Sequence, residues 1–198
     1  MARPRGADSP EAGSSILDAT VALLRERRTG DVTTEEIARR AGCAKGLVHY
    51  HFRSKPQLLV GAAERLWSAR SIAWTGALGV SDPQAAIGAG WQLIRAEAAN
   101  GTAAACAAIG LGNDELVVRS VNTSRRAFAS ELTGATSTLL GRMGLAPSVP
   151  ASELGTLLAA TIEGITLQLG SGAESDELEQ AWAAFWVGLL ALTRPRRA

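Results

Sequence analysis

The sequence predicts an all-α chain, and three observations predict it. Apolar residues recur at i, i+3, i+4 and i+7 in one segment after another. No stretch alternates with period two for long. Gly, Pro, Ser and Asn gather at intervals that leave helix-sized pieces between them. With 198 residues and 46% hydrophobic content, the chain is long enough for one substantial core, or for one small and one medium domain.

Residues 1–13 carry Pro, Gly, Ala and polar residues without apolar periodicity and read as a mobile arm. Arg3 and Arg5 lie in it, where solvation is the simplest reading. Ser14 or Ser15 is a good N-cap for a first helix. Ile16, Ala19, Thr20, Leu23 and Leu24 give it one apolar face, and Thr29-Gly30 stops it near Arg28. Thr33-Thr34, followed by Glu35 and Glu36, starts a second helix, since acids in the first turn suit the helix dipole. Its apolar side is Ile37, Ala38 and Ala41, and Gly42 ends it after about two turns. A third helix spans about Ala44 to His51. Ser54-Lys-Pro56 opens a fourth, with Ser as cap and Pro in the first turn, continued by Leu58, Leu59, Ala62, Ala63, Leu66 and Trp67. Turns at 79–83, 110–114, 144–150 and 170–175 then separate helical pieces at about 84–100, 103–109, 115–143, 152–169 and 176–193. That makes about nine helices, without internal repeats.

Composition excludes several classes. Two cysteines, Cys43 and Cys106, cannot build a disulfide framework or a four-cysteine zinc site. The first residues lack the apolar run of a secretory signal. The longest strongly apolar stretch, residues 181–192, is well short of the ~20 residues that span a bilayer. A soluble, cytoplasmic chain without membrane contact is expected. With 20 Lys+Arg, 19 Asp+Glu and a net charge of +1, it carries no uniformly basic coat.

The charge is nevertheless uneven. Residues 1–70 hold 12 Lys+Arg against 8 Asp+Glu, a net of +4, and residues 71–198 a net of −3. Of the 20 basic residues only two are lysines, Lys45 and Lys55. Both histidines, His49 and His51, and the single tyrosine, Tyr50, lie in the same 45–55 segment. A basic first third suggests a polyanion-binding head on a body with another task.

A two-turn helix, a Gly-containing turn and a second two-turn helix outline a helix-turn-helix. Ala44, Gly46, His49 and Tyr50 keep the second helix narrow enough for a major groove, and Lys45 adds charge. Leu47, Val48 and Phe52 can turn inward and fix the helix. Thr34 and Lys55 stand at the starts of the flanking helices, where hydroxyl, ammonium and free N–H groups meet phosphate.

The run from Thr33 to Gly42 (TTEEIARRAG), then Lys45 to Phe52 (KGLVHYHF), then Ser54-Lys55, resembles the tetracycline-repressor (TetR) family of bacterial transcriptional regulators. The likeness covers roughly residues 15–66, a third of the chain, and combines several motifs at fixed spacing. It implies an all-α homodimer with a three-helix DNA-binding head at residues 14–53 and a regulatory, ligand-binding and dimerisation domain at 54–198. It also implies DNA contacts at Thr33 and Thr34, Ala44, Lys45 and Gly46, His49, Tyr50 and His51, and Lys55. The chain departs from the family pattern at His49, where Tyr is common, and at Cys43-Ala44, where Val-Ser or Val-Thr is common. It departs again at Glu35, where some members carry a base-contacting Arg.

Residues 152–169, through Leu154, Leu157, Leu158, Thr161, Ile162, Ile165 and Leu169, are clearly amphipathic. So are residues 176–193, through Leu178, Ala181, Trp182, Phe185, Trp186, Leu189 and Leu190. From the residues alone they form either core or half of an intermolecular four-helix bundle. The resemblance favours the bundle, with Leu154, Leu158, Ile162, Ile165, Leu178, Trp182, Phe185, Trp186 and Leu189 at the dimer interface. Trp67, Trp74 and Trp91, with Arg95, Cys106 and Asn122, are candidate walls and polar groups of a ligand pocket, and Gln92 and Glu97 are further polar candidates. Ordinary core aromatics are the other reading. So few polar markers suit an apolar or aromatic effector, binding between the fourth and seventh helices.

An enzyme is disfavoured. Outside residues 45–55 the chain has no His, Tyr or Lys, and its one cysteine after Cys43 is Cys106. The expectation is a sequence-specific regulator bound to a palindromic operator in double-stranded DNA. A repressor released by a small-molecule effector fits best, working without a cofactor or metal. A ligand-independent architectural DNA protein is the rival, separated by competition with non-operator DNA.

Overall fold

A computed structural model describes residues 10–27 and 32–196. Arg3, Arg5, Arg28 and the Thr29-Gly30 stop lie outside the described residues. The described chain is helical, with nine helices and one two-stranded ribbon. Two compact units divide it, residues up to 66 with 104–124, and residues 67–103 with 125–198. The division falls within three helices, after residues 66, 103 and 124.

In the first unit, α1 spans Pro10–Glu26, starting before Ser14 rather than after it. The expected arm through residue 13 is corrected here. Pro at the first position and Glu11 in the first turn both suit a helix start. Ser14 instead accepts a hydrogen bond from Arg65 Nη2 (3.0 Å). Helix α2 (Thr34–Arg40) opens with a complete capping box. Glu36 N–H donates to Thr33 Oγ1 (3.2 Å), and Thr33 N–H donates to the Glu36 carboxylate (3.2 Å). Gly42, at φ +67°, makes the turn into α3 (Lys45–His51). That left-handed conformation is cheap for glycine alone. Helix α4 runs Lys55–Leu78, and its part up to Leu66 belongs here, with α6 (Thr102–Gly110) and the first part of α7 (Glu115–Arg142).

Ile16, Leu23, Leu24, Ile37, Val48, Leu58, Ala62 and Leu66 are buried and form the apolar centre of the head. Three arginine–carboxylate pairs hold its rim: Arg27–Glu36 (2.5 Å), Arg40–Glu26 (2.6 Å) and Arg65–Asp18 (2.7 Å). The first two tie α2 and the end of α1 together. Arg40 and Arg27, bonded to Glu26 and Glu36 respectively, hold those carboxyls below their ordinary pKa.

In the second unit, α5 (Pro83–Ala99) packs on α8 (Ala151–Gly170), and α8 and α5 also meet α9 (Ser175–Ala191). Asp82 caps α5 through Ala85 N–H (2.7 Å), with Pro83 at its first position. The approach of helices is set by missing side chains. A β-carbon on Gly90 would lie 2.9 Å from Trp182 Cζ2, and one on Gly155 2.6 Å from the Ala129 carbonyl oxygen. The ribbon pairs β1 (Leu145–Pro147) antiparallel with β2 (Thr193–Pro195). At three residues each, these strands are too short for alternation to announce them. No helix among the described residues is long and apolar enough to cross a membrane.

Candidate nucleic-acid interface

The geometry of α2, its turn and α3 leaves a distinct outer face. Val48 is buried and Leu47 and Phe52 are half-buried, so these three seat α3 on the head. Cys43 N–H donates to Ala38 O (2.9 Å), closing the turn. Ala44, Lys45, Gly46, His49 and Tyr50 are all exposed, Tyr50 by 66%. Lys45 and His49 stand one helical turn apart on that face. Thr34 and Lys55, the first residues of α2 and α4, are each half-exposed. Arg53 is exposed beside Lys55.

Two expected DNA contacts are used differently. The Thr33 hydroxyl takes Glu36 N–H and donates to Glu36 Oε2 (3.1 Å), so it caps α2 while the residue stays exposed. His51 is half-buried. A β-carbon on Gly13 of α1 would lie 3.4 Å from its Nδ1, and its Nε2 is buried without a hydrogen-bond partner. His51 therefore packs α3 on α1, since its position in the helix turns it away from the face carrying Lys45 and His49. Cys43 is half-buried, and burial pushes its thiol pKa up, which disfavours the thiolate that metal binding or redox chemistry uses. Among the described residues no three His, Cys, Asp or Glu side chains gather as a metal site.

Residues 16–62 match the family model described as "Bacterial regulatory proteins, tetR family". This segment, about a quarter of the chain, is similar to the DNA-binding part of that family. Relatives match over a stretch of similar length. The HTH-type transcriptional regulator SrpR of Pseudomonas putida is 36% identical over 59 residues, 30% of this chain and 28% of that protein. BetI of Rhizobium meliloti (strain 1021), another HTH-type transcriptional regulator, is 35% identical over 63 residues, 32% of this chain and 31% of that one. The match thus spans about a third of each relative's length. Among solved structures, reduced NemR of E. coli superposes with a TM-score of 0.76 at 18% identity, covering 93% of this chain and 99% of that one. NalD of Pseudomonas aeruginosa gives a TM-score of 0.59 at 19% identity over 90% and 97% of the two chains. These likenesses show that the tetR-type all-helical fold extends over nearly the whole chain.

The second unit holds the residues of two further expectations. Trp67, Trp74 and Trp91 are buried in it. Glu97 organises two of them. Its carboxylate accepts from Arg70 Nε (3.1 Å), Arg70 Nη2 (2.8 Å) and Trp74 Nε1 (3.0 Å), with Arg70 and Glu97 only 3% and 4% exposed. The Arg70 guanidinium lies 4.8 Å from the ring centres of both Trp67 and Phe128. Cys106, buried, and Asn122, exposed, fall in the first unit. Arg95 is exposed and, with Gln92, lines an open groove of about 670 Å³ that also takes in Leu169, Gly170 and Ser175. Arg70 was legible as a cation spaced between Trp67 and Trp74 on an otherwise apolar face. Its partner, 27 residues on, was not.

The expected interface residues of α8 and α9 are also core. Leu154, Leu158, Ile162, Ile165, Leu178, Trp182, Trp186 and Leu189 are buried within one chain, and Phe185 is half-buried. Trp182 stacks on Phe185 (5.8 Å between ring centres), meets Trp74 and Trp186 edge-on, and donates to Ile87 O (3.1 Å). The large side chains face inward because the protomer's own core is the nearest apolar volume. The apolar residues left outward are Leu157, Ala160, Gly164 and Leu167 on α8, and Ala183, Ala184, Val187, Gly188 and Ala191 on α9, beside polar residues such as Gln168 and Gln180.

Proposed function

We propose that the chain is a sequence-specific DNA-binding transcriptional regulator that works as a homodimer on a palindromic operator and represses from it. The observation that carries this reading is the outer face of α3. Ala44, Lys45, Gly46, His49 and Tyr50 project from a helix whose other side is spent on seating it. Thr34 and Lys55 flank that face as phosphate contacts, which position a protein on DNA without reading sequence. Repression is the reading that NalD supports, being described as the secondary repressor of an efflux pump.

The homodimer joins through the outward faces of α8 and α9. Val187 is 70% exposed in a setting of Ala and Gly, and Leu157 and Leu167 are 44% and 48% exposed. Small residues there let a second pair of helices come close. A small apolar or aromatic effector binds in the second unit and lowers DNA occupancy. It does so by favouring the DNA-incompetent arrangement, since equal affinity for both states shifts nothing.

Selection of genomic fragments by the purified full chain, followed by salt-dependent affinity on the best fragment, tests the reading. A recovered palindrome bound far more tightly than random DNA is expected. Equal affinity for all DNA at moderate salt rejects it in favour of an architectural protein. Sedimentation of Val187→Glu tests the dimer face. It is expected to sediment as monomer, and an undisturbed dimer moves the interface elsewhere.

A further inference from the structure

We propose that α3 reads guanine. Lys45 donates to O6 and N7 of one guanine in each half-site, and Gly46 lets the base edge come that near. This rests on α3 being the reading helix, as proposed above.

The exposed residues of α3 and its cap are Ala44, Lys45, Gly46, His49 and Tyr50. Residues 44–52 contain no Asn, Gln, Asp or Glu. Adenine is read by a carboxamide that both donates and accepts, and the cytosine amino group by a carboxylate. Neither group is present on this helix. The Lys45 ammonium has three donors and no acceptor. In the major groove guanine presents two acceptors side by side, N7 and O6. Adenine sets a donor beside its N7, thymine offers a single acceptor next to a methyl group, and cytosine offers a donor. A donor-only side chain is satisfied best by guanine.

Lys45 is also uncommitted. It has no hydrogen-bond or ion-pair partner among the described residues. Three of the head's carboxylates, Asp18, Glu26 and Glu36, are held by Arg65, Arg40 and Arg27, while Glu11, Glu35 and Glu64 make no ion pair with Lys45. Its stem therefore carries a free ammonium to whatever α3 meets.

Gly46 supplies the independent observation. Other glycines of the head have internal reasons. Gly42 needs its φ of +67°, and a β-carbon on Gly61 would fall 2.9 Å from Leu17 Cδ2. Gly46 has neither. Its φ is not positive, and a β-carbon there would meet nothing within 4 Å. Glycine weakens a helix relative to alanine. Gly76, Gly88, Gly134, Gly164 and Gly188 share such open space, and at Gly46 nothing among the described residues favours glycine. A surface pressed against α3 from outside does, and it would act beside Lys45 on the same exposed face.

The test uses the full chain and its selected DNA fragment, with affinity read by fluorescence anisotropy. Each guanine of the half-site is exchanged symmetrically, first for adenine with its pairing partner, then for 7-deazaguanine, which keeps pairing but lacks the N7 acceptor. One position is expected to lose roughly 5- to 150-fold on exchange for adenine, the range of a bidentate base contact. A smaller loss is expected with 7-deazaguanine. Both losses should vanish in Lys45→Ala. Losses that persist unchanged in Lys45→Ala overturn the assignment. So does a Lys45→Ala variant that weakens every sequence alike and lowers the salt slope by about one, the mark of a phosphate contact. Gly46→Ala should keep its helical circular dichroism and melting temperature, yet lose operator affinity at least about tenfold while random DNA is bound as before. Unchanged operator affinity overturns the role of Gly46. If no fragment is enriched by the unsubstituted chain, the regulator reading itself fails, an outcome distinct from a palindrome whose guanines do not matter.

Discussion

The outer face of α3 and the core of the second unit treat charge in opposite ways. On α3, Lys45 and His49 stand exposed without partners among the described residues. In the core, Arg70 is sandwiched by Trp67 and Phe128 and bonded through two nitrogens to Glu97, which also takes the Trp74 indole N–H. A charge withdrawn from water must be fully satisfied inside the protein. One left in water stays available to something outside. Stability therefore hangs on the first kind of residue and recognition on the second, and substitutions should separate the two.

The largest effect expected is in the core. Glu97→Ala leaves Arg70 buried without a counter-charge and Trp74 without an acceptor, and should lower unfolding stability by about 3–5 kcal/mol. Chemical denaturation measures it. Replacing the pair together, with Arg70→Met and Glu97→Leu, should recover most of that loss, because a well-packed apolar pair avoids the desolvation of two ions. If the double variant is no better than the single one, the pair's geometry matters beyond charge balance.

On the head, Lys55→Ala should weaken binding to every DNA sequence and flatten the salt dependence by about one ion, with stability changed by less than about 0.5 kcal/mol. His49→Ala should instead alter the ranking of operators more than it alters affinity for random DNA. Equal losses on all sequences would move His49 into the phosphate-contacting group.

The smallest effect is on pH. Glu26 and Glu36 have folded pKa values lowered by Arg40 and Arg27, so they stabilise the head above the unfolded glutamate value of about 4.3. That contribution is lost as pH falls through the lowered folded values. Hydrogen exchange of α2 amides should accelerate over that acid range, and Glu36→Gln should blunt the change. An α2 that opens identically in the variant would discount these surface pairs, whose worth is usually small.

Much of this architecture was legible in the residues. The cap at Thr33, the stop at Gly42, the turn before Pro83 and the apolar spacing of each segment are local features, and the nine helices among the described residues follow from them. The start of α1 was misjudged because Ser14 is a better cap than Pro10 only if nothing else uses its hydroxyl, and Arg65, 51 residues away, does. The ribbon was missed because a three-residue strand has no period to detect. The tryptophans read equally as pocket walls or core aromatics, because periodicity reports burial without reporting what fills the space.

The sequence by itself therefore determined the helices, the helix-turn-helix and the clustering of both lysines and both histidines in residues 45–55, because propensity, capping and spacing act within a few residues. Tertiary structure alone decided the partners. It joined Arg70 to Glu97, turned His51 towards α1, spent the large side chains of α8 and α9 on the protomer's own core, and left Gly164, Val187 and Gly188 outside. These outcomes depend on which distant surfaces meet, and an amphipathic stripe has the same spacing whichever surface covers it.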